Sequence, residues 1–301
     1  MNENLAPIVL FTYNRPHHLK KTIAALKQNK LSKYSELFIF SDGPKNNNID
    51  ENIKEVREYL DKIVGFKKVI IIKREKNCGL ANNIINGVTH IINKYGKVIV
   101  MEDDLITAPN FLKYMNKALD FYKNNKNIFS ITGLNFPIEI PNDYAYEVYF
   151  SYRCSSWGWG TWKDRWNKVD WEVKDFNEFV KDKNAQKLFN RGGEDLSNML
   201  KLQMSNKIDS WAIRWSYAHH KNSTYCVYPV ISKILNIGMD KSGTHCRASS
   251  KFEVDLDKSD NNVKLTNHVQ TDERIIKNFQ AFFKTDWKKR IKLIIIKLII
   301  K

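Results

Sequence analysis

Cysteine is scarce in this chain, and the four present are scattered. Cys78, Cys154, Cys226 and Cys246 stand too far apart for a CxxC metal knuckle, so a zinc-stapled fold is excluded, and in a reducing compartment all four read as structural thiols. Long apolar runs are also missing. The stretch 5–11 is shorter than a signal-peptide core or a membrane span and leads directly into a strand-like segment, which predicts a cytoplasmic body. No internal repeat, long linker, zinc knuckle, helix-turn-helix or RNP pattern occurs, so nucleic acid is not an expected partner. Asn222-Ser223-Thr224 has the glycosylation pattern, which carries no meaning in a chain that stays out of a secretory lumen.

What is present is enough to build a core. The 301 residues are 43% hydrophobic and 12% aromatic, which argues against disorder and suits one large domain or two small ones. Forty-nine basic residues against 33 acidic leave a formal charge of +16. That balance admits anionic lipid or phosphorylated small molecules as partners. The most informative stretch is KVIVMEDDL at 97–105, an apolar strand that runs into three adjacent carboxylates. A buried strand ends where its backbone meets solvent, so Glu102, Asp103 and Asp104 are expected at the carboxyl edge of a sheet, where open α/β folds bind ligands. Three adjacent acids repel one another unless a cation compensates them, and hard oxygen ligands suit Mg2+ or Mn2+. A solvated acidic turn is the alternative for EDD taken alone.

The residues around it alternate between strand and helix periodicity. Strands are predicted over 8–12, 37–41, 69–72, 97–105 and 128–132, and helices over 17–29, 49–63 and 79–95, with a further helix opened by Pro109 at its first turn. This βαβαβαβ succession predicts an α/β fold with a doubly wound, mostly parallel sheet. Beyond residue 143 the sequence becomes aromatic and irregular. Trp157, Trp159, Trp162, Trp166 and Trp171 crowd together at mixed spacing, so they are either the core of a subdomain or a platform on which a sugar ring stacks. Amphipathic segments follow at 175–189 and 194–207. The tail WKKRIKLIIIKLIIK at 287–301 contains no acid. It is shorter than the about 20 apolar residues that span a bilayer. A basic, isoleucine-rich segment with an aromatic entrance reads as an interfacial membrane helix, or else as an element packed on the body.

Taken in order, Asn14-Arg15, Ser41-Asp42-Gly43, Asn77-Cys78-Gly79-Leu80, Glu102-Asp103-Asp104-Leu105, TAPNF at 107–111 and the CVYP and ISK pieces at 226–233 resemble a GT-A glycosyltransferase. More narrowly, they resemble the inverting N-acetylglucosaminyltransferase I type and related bacterial sugar transferases. The resemblance covers most of residues 6–250. It implies a nucleotide-sugar-binding half over 1–143 and an acceptor-side half with a closing loop over 144–283, to which the basic composition of the tail adds a membrane-interfacial segment over 284–301. It also implies transfer of a hexose or N-acetylhexosamine from a UDP-linked donor to a saccharide hydroxyl, in bacterial surface glycan synthesis, with Mn2+ or Mg2+ as cofactor. The acceptor is expected to be lipid-linked and the enzyme peripheral on the inner face of the cell membrane, held to anionic lipid by the tail.

By this likeness, Asp104 is the direct metal ligand, with Asp103 and His245 also near the ion. Glu102 and Asp103 lie near the donor sugar and ribose, and Asp42 accepts the N3–H of uracil. Thr12, Asn14, Arg15, Asn77 and Gly79 contact the nucleotide. The run GMDKSGTHCR at 238–247 matches the loop that closes on the donor, with Lys241, Ser242, Thr244, His245 and Arg247 supplying the cations and donors that a leaving diphosphate needs. Trp157, Trp159 and Trp211 are expected on the acceptor side. One departure concerns the general base. The family segment opening Trp-Asp-Asp aligns with Trp211-Ala212-Ile213, so the acid is missing, although an inverting reaction needs a base opposite the leaving group. Asp209 is expected one helical turn before Ile213 on the same face. Asp195, in Gly193-Glu194-Asp195-Leu196, is the other candidate with its neighbour Glu194, because that run resembles the acidic base motif of other inverting GT-A families. A carbohydrate-binding or scaffold protein that has lost its base remains the alternative. The lack of a Gly-rich phosphate loop after the first strand speaks against nucleotidyl transfer.

Overall fold

The computed structural model describes residues 4–45, 50–240 and 250–284. The strands are β1 (Ile8–Thr12), β2 (Glu36–Ser41), β3 (Lys68–Lys73), β4 (Lys97–Glu102), β5 (Leu105–Thr107), β6 (Ile128–Thr132), β7 (Val148–Ser151), β8 (Trp159–Trp162), β9 (Tyr225–Pro229) and β10 (Ile234–Asn236). The helices are α1 (Pro16–Lys27), α2 (Glu51–Leu60), α3 (Leu80–Tyr95), α4 (Phe111–Phe121), α5 (Lys163–Trp166), α6 (Phe176–Lys181), α7 (Lys183–Phe189), α8 (Leu196–Met204), α9 (Trp211–Lys221) and α10 (Glu273–Phe282). Eight strands form one sheet in the order β3-β2-β1-β4-β8-β6-β9-β7, and β5 pairs with β10 in a small second sheet. The first four strands are mutually parallel, β8 is antiparallel to both β4 and β6, and β7 is antiparallel to β9. The sheet is therefore mostly parallel and doubly wound, as the strand–helix alternation predicts.

Alternation along each strand divides the core between the two faces. Ile8 and Leu10 of β1, Leu37 and Ile39 of β2, and Ile99 and Met101 of β4 pack on one face against α1, α2 and α4. Val9, Phe11, Phe38, Phe40, Val98 and Val100 pack on the other against α3 and α9. Both faces of these strands are covered, which is why they read as continuous apolar runs.

Several boundaries differ from the periodicity. The predicted strand 97–105 breaks after Glu102, and Asp103-Asp104 form a turn between β4 and β5. Pro109 precedes α4, which begins at Phe111. The segment 175–189 is two helices, because the Asp182 carboxylate accepts the backbone N–H groups of Asn184 and Ala185 and starts a new helix there. Five tryptophans form a buried cluster from three elements and a loop, with Trp159–Trp211 ring centroids 5.1 Å apart, Trp166–Trp171 4.7 Å and Trp166–Trp215 5.2 Å. Trp162 faces the opposite layer, its indole N–H donating to the Leu119 carbonyl at 3.0 Å.

Candidate functional site

Parallel pairing of β1 with β2 on one side and β4 on the other places Thr12 beside Ser41 and Phe11 beside Glu102. The chain leaves β1 between two strands whose crossovers run to opposite sides, the switch point where a crevice opens at the carboxyl edge. Thr12, Asp42 and the three acids therefore meet there, although they lie far apart in sequence.

Asp103 is buried and fully engaged. Its Oδ2 accepts the Thr12 hydroxyl at 2.8 Å and the Tyr13 N–H at 3.3 Å, and its Oδ1 accepts Arg15 Nη2 at 2.5 Å. The same Arg15 nitrogen lies 3.0 Å from Asp104 Oδ2. Burial lowers the basicity of the Arg15 guanidinium, but Asp103 and Asp104 outweigh it and hold the group charged. Burial, with Asp104 and Asp103 beside it, pushes the Glu102 carboxyl up to about 8. Burial likewise raises Asp104, against the pull of Arg15. Three acids thus share one cation.

Across the edge, Asp42 Oδ1 accepts the N–H groups of Gly43 and Cys78, both at 2.9 Å. Asn77 Nδ2 donates to the Gly43 carbonyl at 2.9 Å, while its Oδ1 accepts the Gly79 N–H at 3.1 Å. Gly43 permits this approach, since a Cβ there would stand 2.4 Å from the Lys76 carbonyl carbon. The loop before α3 is thereby stitched to the end of β2. Asn14 Nδ2 donates to Asp50 Oδ2 at 3.3 Å, and the Tyr13 phenol is raised chiefly by burial, with Asp50 and Asp42 adding to it.

The acceptor-side residues fare differently. Trp159 and Trp211 are 0% and 2% exposed. They are corrected to core residues, because the neighbouring indoles cover the ring faces a sugar would need. Trp157 is half-buried and lines a cavity of about 250 Å3 with Phe136, Arg153, Ser155, Ala212 and Phe283. Asp195, at the start of α8, is held by Arg153 through two bonds of 2.8 and 3.0 Å, and the Arg153 guanidinium lies 3.6 Å from the centre of the Phe283 ring. Glu194 beside it is exposed. Asp209 does not share a helical face with Ile213, because Ser210 caps α9 and leaves Asp209 outside it. Its carboxylate instead flanks Gly79, 3.7 Å from where a Cβ would stand. Ile213 is buried among Val173, Phe179 and Tyr217. Lys241, Ser242, Thr244, His245 and Arg247, and the tail from residue 285, lie outside the described residues.

Two contributors carry weak sequence signals. Arg153 follows β7 without a motif, and Gly238 packs so closely on the acids that a Cβ would stand 2.1 Å from Asp104 Oδ2. The GMD run at 238–240 was expected to matter as part of the closing loop, but not as the backbone wall of the acid cluster. A cavity of about 670 Å3 opens elsewhere beside Leu31, Lys113 and Phe121 and is lined by none of the expected site residues.

Metal fit follows from the donor set. Among the described residues, no three His, Cys, Asp or Glu side chains form a ready cage. Two adjacent carboxylates in an acid-rich, cation-poor cluster fit Mg2+ or Mn2+ of the kind completed by substrate phosphates. Among the described residues, no helix is long and apolar enough to cross a membrane.

A family model described as glycosyl transferase family 2 matches residues 8–181. An uncharacterized glycosyltransferase of Methanocaldococcus jannaschii is 30% identical over 129 residues, covering 42% of this chain and 40% of that protein. The chain therefore spans less than half the length of that curated relative. Among solved structures, a mannosyltransferase from Pyrobaculum calidifontis in complex with GDP-Man and Mn2+ is similar at TM-score 0.39 and 10% identity, covering 72% of this chain and 68% of that one. TarS of S. aureus is similar at TM-score 0.41 and 10% identity, covering 76% and 36%. Likenesses at this level carry no argument about the reaction.

Proposed function

This chain belongs to glycosyl transferase family 2, and we propose that it transfers a hexose or N-acetylhexosamine, with inversion, from a UDP-linked donor to a saccharide hydroxyl. The observation that carries the reading is the assembly of Thr12, Asp42, Asp103 and Asp104 at one switch point. Asp42 Oδ1 is taken by two backbone donors, which leaves Oδ2 to accept uracil N3–H. Asp104, with Asp103 beside it, would hold the divalent ion. When bound, that ion supplies charge neutralisation to the departing diphosphate. Glu102, at the end of β4 beside these acids, would lie near the donor's sugar and ribose hydroxyls.

The narrower N-acetylglucosaminyltransferase I likeness receives less support, since Ala212 and buried Ile213 stand where its base would be. Asp195 takes first place. Arg153 fixes the plane of its carboxylate while using one lone pair on each oxygen, and the remaining lone pairs can accept the acceptor's proton. Leu196, the next residue, lines the cavity with Trp157, which suits an acceptor sugar there. Asp209, exposed beside Gly79, is the second candidate. The closing loop at 238–247 and the basic tail belong to the same proposal, with the tail bringing the enzyme to lipid-linked acceptors of a surface glycan at an anionic membrane. The replaced acid at 212–213 favours one other reading, a carbohydrate-binding protein of the same fold without turnover.

The test is incubation with UDP- and GDP-sugars in Mn2+ or EDTA, with mass-spectrometric measurement of donor loss and NMR reading of the product anomer. Metal-dependent loss of a UDP-sugar with inversion supports the proposal. Failure to consume any donor, with or without added saccharides, contradicts it.

A further inference from the structure

Resting on the acid cluster as the metal and donor site, we infer that Arg15 is the internal counter-cation of that cluster and must leave it before a divalent ion binds, so that metal and nucleoside diphosphate load together. One guanidinium nitrogen, Nη2, forks between the two acids, 2.5 Å from Asp103 Oδ1 and 3.0 Å from Asp104 Oδ2. The three side chains are 18%, 4% and 10% exposed, so water screens this arrangement little. Gly238 closes the same corner, since a Cβ there would stand 2.1 Å from Asp104 Oδ2 and 2.8 Å from Arg15 Nη1. The Asp104 oxygen is therefore crowded by a cation and a backbone wall together. A divalent ion within ligand distance of it would stand beside a like charge at close range, which disfavours binding of the metal alone.

A diphosphate changes that balance. It offers a guanidinium two or more anionic oxygens in the geometry that Arg binds best, and it brings oxygens that complete the coordination of a metal held by two carboxylates. The backbone of Arg15 is fixed, since its carbonyl accepts the Leu19 N–H at 3.0 Å and Pro16 opens α1 behind it. The exchange therefore needs only side-chain rotation. Asp103 keeps Thr12 and Tyr13 as donors when the guanidinium departs, so the acids stay placed while the cation changes.

Calorimetric titration of Mn2+ into the wild type and Arg15→Met, with and without UDP, tests this. The wild type should bind Mn2+ alone at least about tenfold more weakly than Arg15→Met, and saturating UDP should strengthen wild-type Mn2+ binding by about tenfold or more, within the usual range of coupling between sites. In Arg15→Met the gain from UDP should shrink. Arg15→Lys, which keeps the charge, should bind Mn2+ alone as weakly as the wild type. Melting curves against Mn2+ give a second readout: Arg15→Met should melt lower than the wild type without metal and rise more as Mn2+ is added. If Mn2+ with UDP binds the wild type, but Arg15→Met binds Mn2+ alone no tighter and gains no more in melting temperature, the inference falls while the metal-site reading stands. If Mn2+ binds neither protein even with UDP, the metal-site reading falls first.

Discussion

The buried imidazole of His219 makes a quantitative prediction about stability that is independent of the reaction. His219 is 0% exposed, its Nδ1–H donates to the Trp215 carbonyl at 2.9 Å, and its Nε2 accepts the Ser130 hydroxyl at 2.8 Å. The rings of Phe129 and Trp215 lie 4.9 Å away, centroid to centroid. Burial, opposed by the Trp215 carbonyl, lowers the imidazole from 6.5 to about 4. The unfolded chain therefore takes up a proton as pH falls through the ordinary histidine range, whereas the native chain does not until near pH 4. Stability is fully present above the unfolded value and is lost as pH falls towards the folded one. Linkage over this gap amounts to about 3 kcal/mol in all, of which about 2 kcal/mol falls between about pH 7 and pH 5. Urea unfolding of the wild type and His219→Gln at those two pH values isolates the contribution, since every other titrating group is common to both. The variant should start less stable, having lost packing, but its stability should fall by about 2 kcal/mol less on acidification. Parallel losses in the two proteins would refute the reasoning.

Two further predictions concern the body and the donor edge. Asp257 accepts Lys233, the Asn110 amide at 2.9 Å and the Ser259 N–H at 2.8 Å, and its carboxyl is lowered to about 2 by these partners against burial. Asp257→Asn leaves Lys233 buried without its counter-charge, so chemical denaturation should show a loss of about 3–5 kcal/mol, most of it recovered by adding Lys233→Met. Asp42→Ala should weaken UDP more than GDP in calorimetry, whereas equal losses would mean that Asp42 does not read the base.

How much of this was legible in the sequence depends on the range of the interaction. The strands at 8–12 and 128–132 stand where periodicity puts them, because both of their faces are buried and the whole segment is apolar. The three acids were legible because a buried strand must end at an edge, and the break after Glu102 changes only which element carries them. The insertion of β8 between β4 and β6 has no local signature, since antiparallel pairing of Val98 with Thr161 is a contact between distant segments. The same holds for Arg15 with Asp103 and Arg153 with Asp195, where an arginine's partner is set by the folded topology. Tryptophans 159 and 211 misled for a different reason. An indole suits a sugar platform and a packed core equally well, and only the convergence of β8, α5 and α9 decides for the core.

Donor consumption by the wild type and Asp104→Ala, assayed side by side with Mn2+ and a panel of UDP-sugars, tests the central claim most directly. Asp104 is a turn residue at the sheet edge and contributes little to the apolar core, so the variant should melt near the wild type. It should nonetheless lose most metal-dependent turnover, because stabilisation of the leaving group by the ion is worth several kcal/mol of barrier, on the order of a thousandfold in rate. Turnover in Asp104→Ala equal to the wild type, or unchanged wild-type turnover in EDTA, would contradict the assignment of this edge as the metal and donor site.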